Sequence, residues 1–174
     1  IQVGALTNWS QISLGNNQGL ALKTDGTMWA WGSNAFGQLG LQKFSQLDQI
    51  TTITDTQSIS GGTYSVNIIR TNGSLWSWGV KPGDGVGATL SSPVQIGALT
   101  KWLKITSGNS YSLALATDNS LWAWGDNTYG MLGDGSTTNR LSPVQVGGTE
   151  WLDVSAGHDH TVGTKTDGSL WVWG

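Results

Sequence analysis

Residues 117–125 read Thr117-Asp118-Asn119-Ser120-Leu121-Trp122-Ala123-Trp124-Gly125, which is a turn sequence followed by two tryptophans and a glycine. The Trp-x-Trp-Gly tetrapeptide occurs four times in the 174 residues, with its first tryptophan at positions 29, 76, 122 and 171. Successive copies therefore begin 47, 46 and 49 residues apart. Repetition at a nearly fixed spacing indicates a chain built from similar structural units.

A turn sequence precedes each tetrapeptide. The four copies are Thr24-Asp25-Gly26-Thr27, Thr71-Asn72-Gly73-Ser74, Thr117-Asp118-Asn119-Ser120 and Thr166-Asp167-Gly168-Ser169. Asp-Gly and Asn-Gly favour two-residue type I′ turns, in which both central residues have positive φ. The residues before the turn are apolar, as in Gly19-Leu20-Ala21-Leu22-Lys23. Each copy is therefore predicted to contain a β-hairpin closed by a type I′ turn.

Two further strand sequences flank each hairpin. One resembles Trp102-Leu103-Lys104-Ile105-Thr106-Ser107-Gly108, and the other resembles Pro143-Val144-Gln145-Val146-Gly147, of which Ile1-Gln2-Val3-Gly4 looks like a truncated copy. Four short strands per unit are typical of a β-propeller blade. The sequence thus predicts an all-β fold in which residues 1–174 form one partial β-propeller of four-stranded antiparallel blades. The repeat units are approximately 1–47, 48–93, 94–143 and 144–174.

The tryptophans are predicted to form the core. Side chains at i and i+2 of a strand lie on the same face, so both rings of each tetrapeptide share a face and small or aliphatic residues occupy the other. Large rings of one blade would then fill the gap to the next blade. This core assignment covers all eleven tryptophans: Trp9, Trp29, Trp31, Trp76, Trp78, Trp102, Trp122, Trp124, Trp151, Trp171 and Trp173.

The units resemble the repeats of the regulator-of-chromosome-condensation family. The resemblance rests on Leu113 to Gly133 and on Asn34-Ala35-Phe36-Gly37-Gln38-Leu39-Gly40, and it recurs along the chain. It implies a seven-bladed ring of which four blades are an incomplete part. Because an open arc leaves two apolar blade faces in water, we expect the end faces to be covered by further blades or by another chain.

Composition narrows the classes of partner. Eight Lys and Arg stand against eleven Asp and Glu, and no basic run could neutralise several phosphates, so nucleic acid is not an expected partner. No apolar stretch approaches the ~18 residues of a membrane span. Few charged residues beside abundant Ser, Thr, Asn and Gly favour an extracellular, cell-surface or virion location.

No residues indicate catalysis or a cofactor. Gly157-His158-Asp159-His160 offers two imidazoles and a carboxylate, but residues i and i+2 supply only two ligands on one side, and His160 aligns with Tyr111. The Asp-rich loop that begins at Asp126 lacks the terminal Glu and alternating oxygen ligands of a calcium loop. Nucleophile-elbow and phosphate-loop sequences are not found. We therefore expect no metal, no cofactor and no enzymatic activity.

These observations predict a non-catalytic protein-interaction or adhesion module in a surface or virion structural assembly, binding other subunits or a surface receptor. The candidate contacts in its rim loops are Asn34, Phe36, Asn127, Tyr129 and His158, because aromatics flanked by Asn and Gly are typical of adaptable binding surfaces. Alternatively, Phe36 and Tyr129 pack beneath their own loops. The family resemblance leaves open a guanine-nucleotide-exchange-like regulator or a secreted enzyme inhibitor of the same fold.

Overall fold

The computed structural model describes residues 7–39, 48–51 and 53–174, and the regular elements in these ranges are all β-strands. Blade 1 contains β1 (Trp9–Leu14), β2 (Gln18–Lys23), β3 (Met28–Gly32) and β4 (Asp48–Gln49). Blade 2 contains β5 (Thr56–Gly61), β6 (Ser65–Arg70), β7 (Leu75–Gly79) and β8 (Leu90–Gln95). Blade 3 contains β9 (Trp102–Ser107), β10 (Tyr111–Ala116), β11 (Leu121–Gly125) and β12 (Arg140–Val146), and blade 4 contains β13 (Trp151–Ala156), β14 (Thr161–Lys165) and β15 (Leu170–Trp173).

Each blade is an antiparallel sheet whose strands follow one another in chain order. The first strands of successive blades, β1, β5, β9 and β13, contact one another and line the axis. The prediction of all-β propeller blades is confirmed, whereas the seven-bladed ring stays a prediction. The first three sheets end at Gln49, Gln95 and Val146, a few residues beyond the predicted ends of their repeat units. The fourth strand of each of these blades therefore lies partly or wholly in the next predicted unit.

The hairpin turns differ from the predicted type I′. Among the central residues of the blade 1 turn only Gly26 has positive φ, at 80°, and its N–H donates to the Lys23 carbonyl. This is a type I turn followed by a left-handed residue, which forms a three-residue loop with a bulge. The Asp25 carboxylate holds it, because it accepts hydrogen bonds from the N–H and the hydroxyl of Thr27 at 3.0 and 2.6 Å.

The apolar core lies between blades. Met28 and Ala30 of blade 1 pack against Ile59 and Ile68 of blade 2, and Leu121 and Ala123 of blade 3 pack in the same way against blade 4. A third cluster joins blades 2 and 3. Each sheet is thus apolar on both faces, as the alternation of large and small residues in the tetrapeptides predicted.

The tryptophans are not equally buried. Four are buried, namely Trp78, Trp102, Trp124 and Trp151. Six are partly buried, namely Trp9, Trp29, Trp31, Trp76, Trp122 and Trp173. Trp171 is 49% exposed, and its assignment to the core stays a prediction. The first tryptophan of blades 1, 2 and 3 pairs with a glutamine of the fourth strand, whereas Trp171 lies on β15, the outermost described strand of its sheet.

Glycines at the end of each first strand permit the blades to meet at the axis. A Cβ on Gly62 would lie 2.7 Å from the Gly108 carbonyl oxygen, and a Cβ on Gly108 would lie 2.6 Å from that of Gly157. A Cβ on Gly15 would likewise overlap the Gly62 carbonyl oxygen. Only glycine tolerates such an approach of backbone to backbone, so the four repeated glycines set the spacing of the blades.

Candidate interaction surface

One end of the propeller carries longer loops, and we call it the loop face. It consists of the loops between first and second strands (residues 15–17, 62–64, 108–110 and 157–160) and between third and fourth strands. The two kinds of loop are joined within blades 1 and 3, because the Ser33 N–H donates to the Asn17 carbonyl at 2.7 Å and the Asp126 N–H to the Ser110 carbonyl at 2.8 Å. The opposite end, the turn face, carries the tight hairpin turns.

Asn34 and Asn127 shape the loops of this face instead of contacting solvent. Both side chains are buried, and their Oδ1 atoms accept hydrogen bonds from the N–H groups of Leu39 at 2.8 Å and Leu132 at 3.0 Å. The Asn127 Nδ2 also donates to the carbonyls of Ser136 and Thr138. The prediction that both are contact residues is therefore wrong, because their amides satisfy buried backbone groups.

The aromatic residues of the same loops are exposed. Phe36 is 45% exposed and packs edge-on against Tyr64 of blade 2, with ring centroids 5.1 Å apart. Tyr129, at the equivalent position of blade 3, is 66% exposed. Phe36 thus packs on the neighbouring blade and still presents part of its ring to solvent. Tyr64 was not among the predicted contact residues, although an aromatic residue at a loop position that other blades fill with Asn, Ser or Asp was a signal.

His158 lies near the axis of the loop face. With the equivalent Asn16, Thr63 and Asn109 it lines a shallow depression of about 230 Å³. Its Nδ1 lies 2.7 Å from the Asp159 carboxylate. Over residues 7–39, 48–51 and 53–174, no three His, Cys, Asp or Glu side chains are grouped as metal ligands would be.

His160 lies in a structural position of the repeat. The imidazole of His160 occupies the space beside Gly157 that the Tyr111 ring occupies beside Gly108. The Tyr111 hydroxyl donates to the His160 carbonyl at 2.5 Å, and burial raises the pKa of that hydroxyl above its ordinary value. A side chain at this position therefore packs along the axis, which fits its alignment with Tyr111.

Most cationic side chains are engaged within the blades. Lys23, Arg70, Lys101 and Lys165 stack on tryptophan rings, with the Lys165 Nζ 4.1 Å from the centre of Trp171. Lys104 pairs with Asp153, and the Arg140 guanidinium lies 2.7 Å from Asp134. The pKa of Asp134 lies below its ordinary value. Burial is the largest single influence and acts to raise it, but hydrogen bonds from Ser136 and Arg140 together lower the pKa by more.

The described part of the chain contains no helix long and apolar enough to cross a membrane.

Comparison with known proteins identifies the repeat. The family model of the Regulator of chromosome condensation (RCC1) repeat matches residues 25–66 and 118–163, and a second model of the same repeat matches residues 9–38 and 102–130. Together these matches include two of the four tetrapeptides, those that begin at Trp29 and Trp122.

Solved structures share the fold. Human WBSCR16 is 22% identical with a TM-score of 0.83 over 91% of this chain and 44% of its own. Prp20p from Saccharomyces cerevisiae, which binds Gsp1p and histones, is 20% identical with a TM-score of 0.87 over 99% of this chain and 47% of its own. Yeast RCC1 (Prp20) has also been solved with Kap60, with 21% identity and a TM-score of 0.86 over 99% and 45%. The chain thus spans less than half the length of these proteins.

Proposed function

The chain belongs to the RCC1 repeat family, and from that premise we propose that it is a non-catalytic protein-interaction module whose partner binds the loop face. The exposed ring of Phe36, packed on Tyr64 across a blade boundary, is the observation that carries the proposal. Aromatic residues are enriched at the centres of protein interfaces, and they lose little entropy on binding when their position is already fixed.

The scaffold under these rings is rigid. The buried amides of Asn34 and Asn127 fix the loop backbones, so Phe36 and Tyr129 are held in place by hydrogen bonds that do not involve the rings themselves. Around them, Asn16, Asn109 and His158 provide polar groups near the axis. An aromatic surface with adaptable polar neighbours suits a protein partner.

A paired comparison of variants tests the loop face. Phe36→Ser combined with Tyr129→Ser removes the two exposed rings, and Leu99→Ser removes an exposed apolar residue from the turn face as the matched control. Immobilised wild type, double variant and control are incubated with a lysate of the source, and bound proteins are quantified by mass spectrometry. Partners retained by wild type and control but reduced at least tenfold with the double variant support the proposal. Equal retention by all three contradicts it.

For the setting, we propose a surface or virion structural assembly in which the partner is another subunit or a surface receptor. The low share of charged residues, 11%, supports an exposed location without assigning one. Antibody labelling of intact particles or cells tests this: labelling without permeabilisation is expected, and labelling only after permeabilisation contradicts it.

A second candidate is a regulator that contacts a small GTPase. It is supported by the likeness to Prp20p, a protein that binds Gsp1p, although identity of 20% relates the folds alone. The release of fluorescent GDP from purified Gsp1p, with and without the chain, measures nucleotide exchange directly. A release rate raised at least tenfold by the chain favours this candidate, and an unchanged rate excludes it for that GTPase.

A further inference from the structure

One cross-strand pair of side chains differs in character between the blades. In blade 1, Leu20 and Ala30 lie opposite each other on β2 and β3, and both belong to the apolar cluster shared with blade 2. In blade 3, Leu113 and Ala123 pair in the same register and belong to the cluster shared with blade 4. In both blades, therefore, a leucine beside an alanine packs against the next blade.

Blade 2 has polar residues at this position. Asn67 and Ser77 lie opposite each other on β6 and β7, and both residues are 0% exposed. The Asn67 Nδ2 donates to the Oγ atoms of Ser107 and Ser112 of blade 3, at 2.9 and 3.0 Å. We call these four residues the polar seam. The contact of blade 2 with blade 3 is thus polar at the point where the contacts of blade 1 with blade 2 and of blade 3 with blade 4 are apolar.

Two atoms of the polar seam have no hydrogen-bond partner among the described residues. They are the Asn67 Oδ1 and the Ser77 Oγ. Side chains directly opposite each other on antiparallel strands lie close together on the same face, so the Ser77 hydroxyl lies on the face where the Asn67 amide contacts blade 3. A buried polar group that stays unpaired destabilises a fold by more than a typical hydrogen bond stabilises it, so both atoms are expected to have a partner.

A water molecule has the groups that these two atoms need. An amide oxygen only accepts hydrogen bonds, whereas a serine hydroxyl both donates and accepts. A water between Asn67 and Ser77 can therefore donate to the amide oxygen and accept from the hydroxyl. The hydroxyls of Ser107 and Ser112 accept from the Asn67 amide, and each keeps a hydrogen of its own to donate. The seam thus offers a water at least two polar groups, and buried waters make about two to four hydrogen bonds.

We propose that the polar seam binds one buried water molecule, held by the Asn67 Oδ1 and the Ser77 Oγ. A larger ligand does not suit this place, because both residues are fully buried. A cation does not suit it either, because all four side chains are neutral and the Asn67 amide nitrogen is a donor. The water lies between two blades and not on the loop face, so this proposal is independent of the proposed function.

Ser77→Ala distinguishes a seam with water from a dry one. If a water accepts from the Ser77 hydroxyl, the substitution removes that hydrogen bond, and the equilibrium constant of unfolding is expected to rise about fivefold. If the hydroxyl is unpaired, alanine removes a buried polar group without a partner, and the constant falls or stays the same. Urea unfolding of the full 174-residue chain measures the change. A variant as stable as the wild type, or more stable, overturns the proposal.

Ala123→Ser is the matched control. It places a hydroxyl at the same position of blade 3, where the cross-strand neighbour is Leu113 and not an asparagine. This hydroxyl has no amide with which to share a water, so the variant is expected to be less stable than the wild type. Both substitutions are therefore expected to destabilise the protein. Opposite effects of equal size would show that neither hydroxyl is paired and would overturn the proposal.

A crystal structure at a resolution that shows ordered water provides the direct test. In the wild type, density for one water is expected within hydrogen-bond distance of both the Asn67 Oδ1 and the Ser77 Oγ. In the double variant Asn67→Leu and Ser77→Ala, which has the apolar pair of blades 1 and 3, no water is expected there. A wild type without this density, density in both proteins, or a direct hydrogen bond between Asn67 and Ser77 overturns the proposal.

Discussion

Gly62→Ala tests whether backbone contact at the axis sets the spacing of the blades. The new Cβ would lie 2.7 Å from the Gly108 carbonyl oxygen, 3.1 Å from the Ser65 Oγ and 3.2 Å from the Ser107 Cβ. Two of these atoms belong to the next blade, and one of those is backbone. Gly62 is not among the positive-φ glycines, so the cost of the substitution is steric.

The expected loss of stability in Gly62→Ala follows from two contacts. Inserting a methyl group into a close-packed site costs ~1–3 kcal/mol, because neighbours must move off their preferred positions. The movement also lengthens the Thr63 N–H to Gly108 carbonyl hydrogen bond, already 3.3 Å, whose loss costs a further ~0.5–1.5 kcal/mol. A smaller gain of ~0.4–1 kcal/mol comes from the reduced freedom of the unfolded chain. The free energy of unfolding is therefore expected to fall by about 2–3 kcal/mol.

Urea unfolding followed by tryptophan fluorescence measures this change. The control is Gly148→Ala, because a Cβ there meets only the Glu150 side chain, which can turn away. The control is expected to change the free energy of unfolding by less than about 0.5 kcal/mol. If Gly62→Ala is no more destabilising than Gly148→Ala, close backbone contact at Gly62 does not set the spacing of the blades.

Further predictions concern the tryptophans and the turns. Trp124→Ala is expected to lower the free energy of unfolding by ~3–5 kcal/mol, and Trp171→Ala by roughly half as much, because Trp171 is half exposed; urea unfolding checks both, and equal losses would contradict the burial argument. The pKa of Asp118 is lowered chiefly by Lys101, and the pKa values of Asp25 and Asp167 are lowered chiefly by the hydroxyls of Thr27 and Ser169. Because the ionised carboxylates stabilise the folded state, stability is expected to be full above about pH 5 and to fall as the pH drops below the ordinary carboxyl pKa of 3.8. Replacing the three aspartates with Asn, which Asn72 shows to be compatible with this turn, should flatten the acid limb of a urea-midpoint profile and lower the midpoint at pH 7 toward its value in acid.

The strands were predictable because their signal is local. Successive side chains of a strand point to opposite faces, so Trp122 and Trp124 lie on one face whatever the rest of the chain does. A turn sequence fixes where the hairpin reverses. The type of turn was missed because Asp-Gly serves both type I′ turns and type I turns with a bulge. The distinguishing signal was the Thr or Ser two residues after the Asp, since Thr27 and Ser169 donate both N–H and hydroxyl to that carboxylate.

Burial of individual side chains was less predictable because it depends on the neighbouring blade. Trp122 and Trp171 occupy the same position of the tetrapeptide, yet Trp122 is partly buried and Trp171 is 49% exposed, and Trp124, the second tryptophan of its tetrapeptide, is fully buried. A Cβ on Gly83, from the loop of blade 2, would lie 2.6 Å from the Trp124 ring, so that loop covers the ring. The pattern within one repeat does not show whether a ring is covered by another loop, because that loop comes from residues about forty positions away.

The loop face separates the residues that build a loop from those that could contact a partner. Asn34 and Asn127 each accept a hydrogen bond from the N–H five residues later, so blades 1 and 3 have the same loop backbone at this point. The exposed residue two positions after each Asn differs, being Phe36 in one blade and Tyr129 in the other. The residue of the next blade also differs, since Asp159 occupies in blade 4 the position of Tyr64 in blade 2. Recognition can therefore change from blade to blade without any change in the buried hydrogen bonds, which is why residue type alone did not distinguish the two roles.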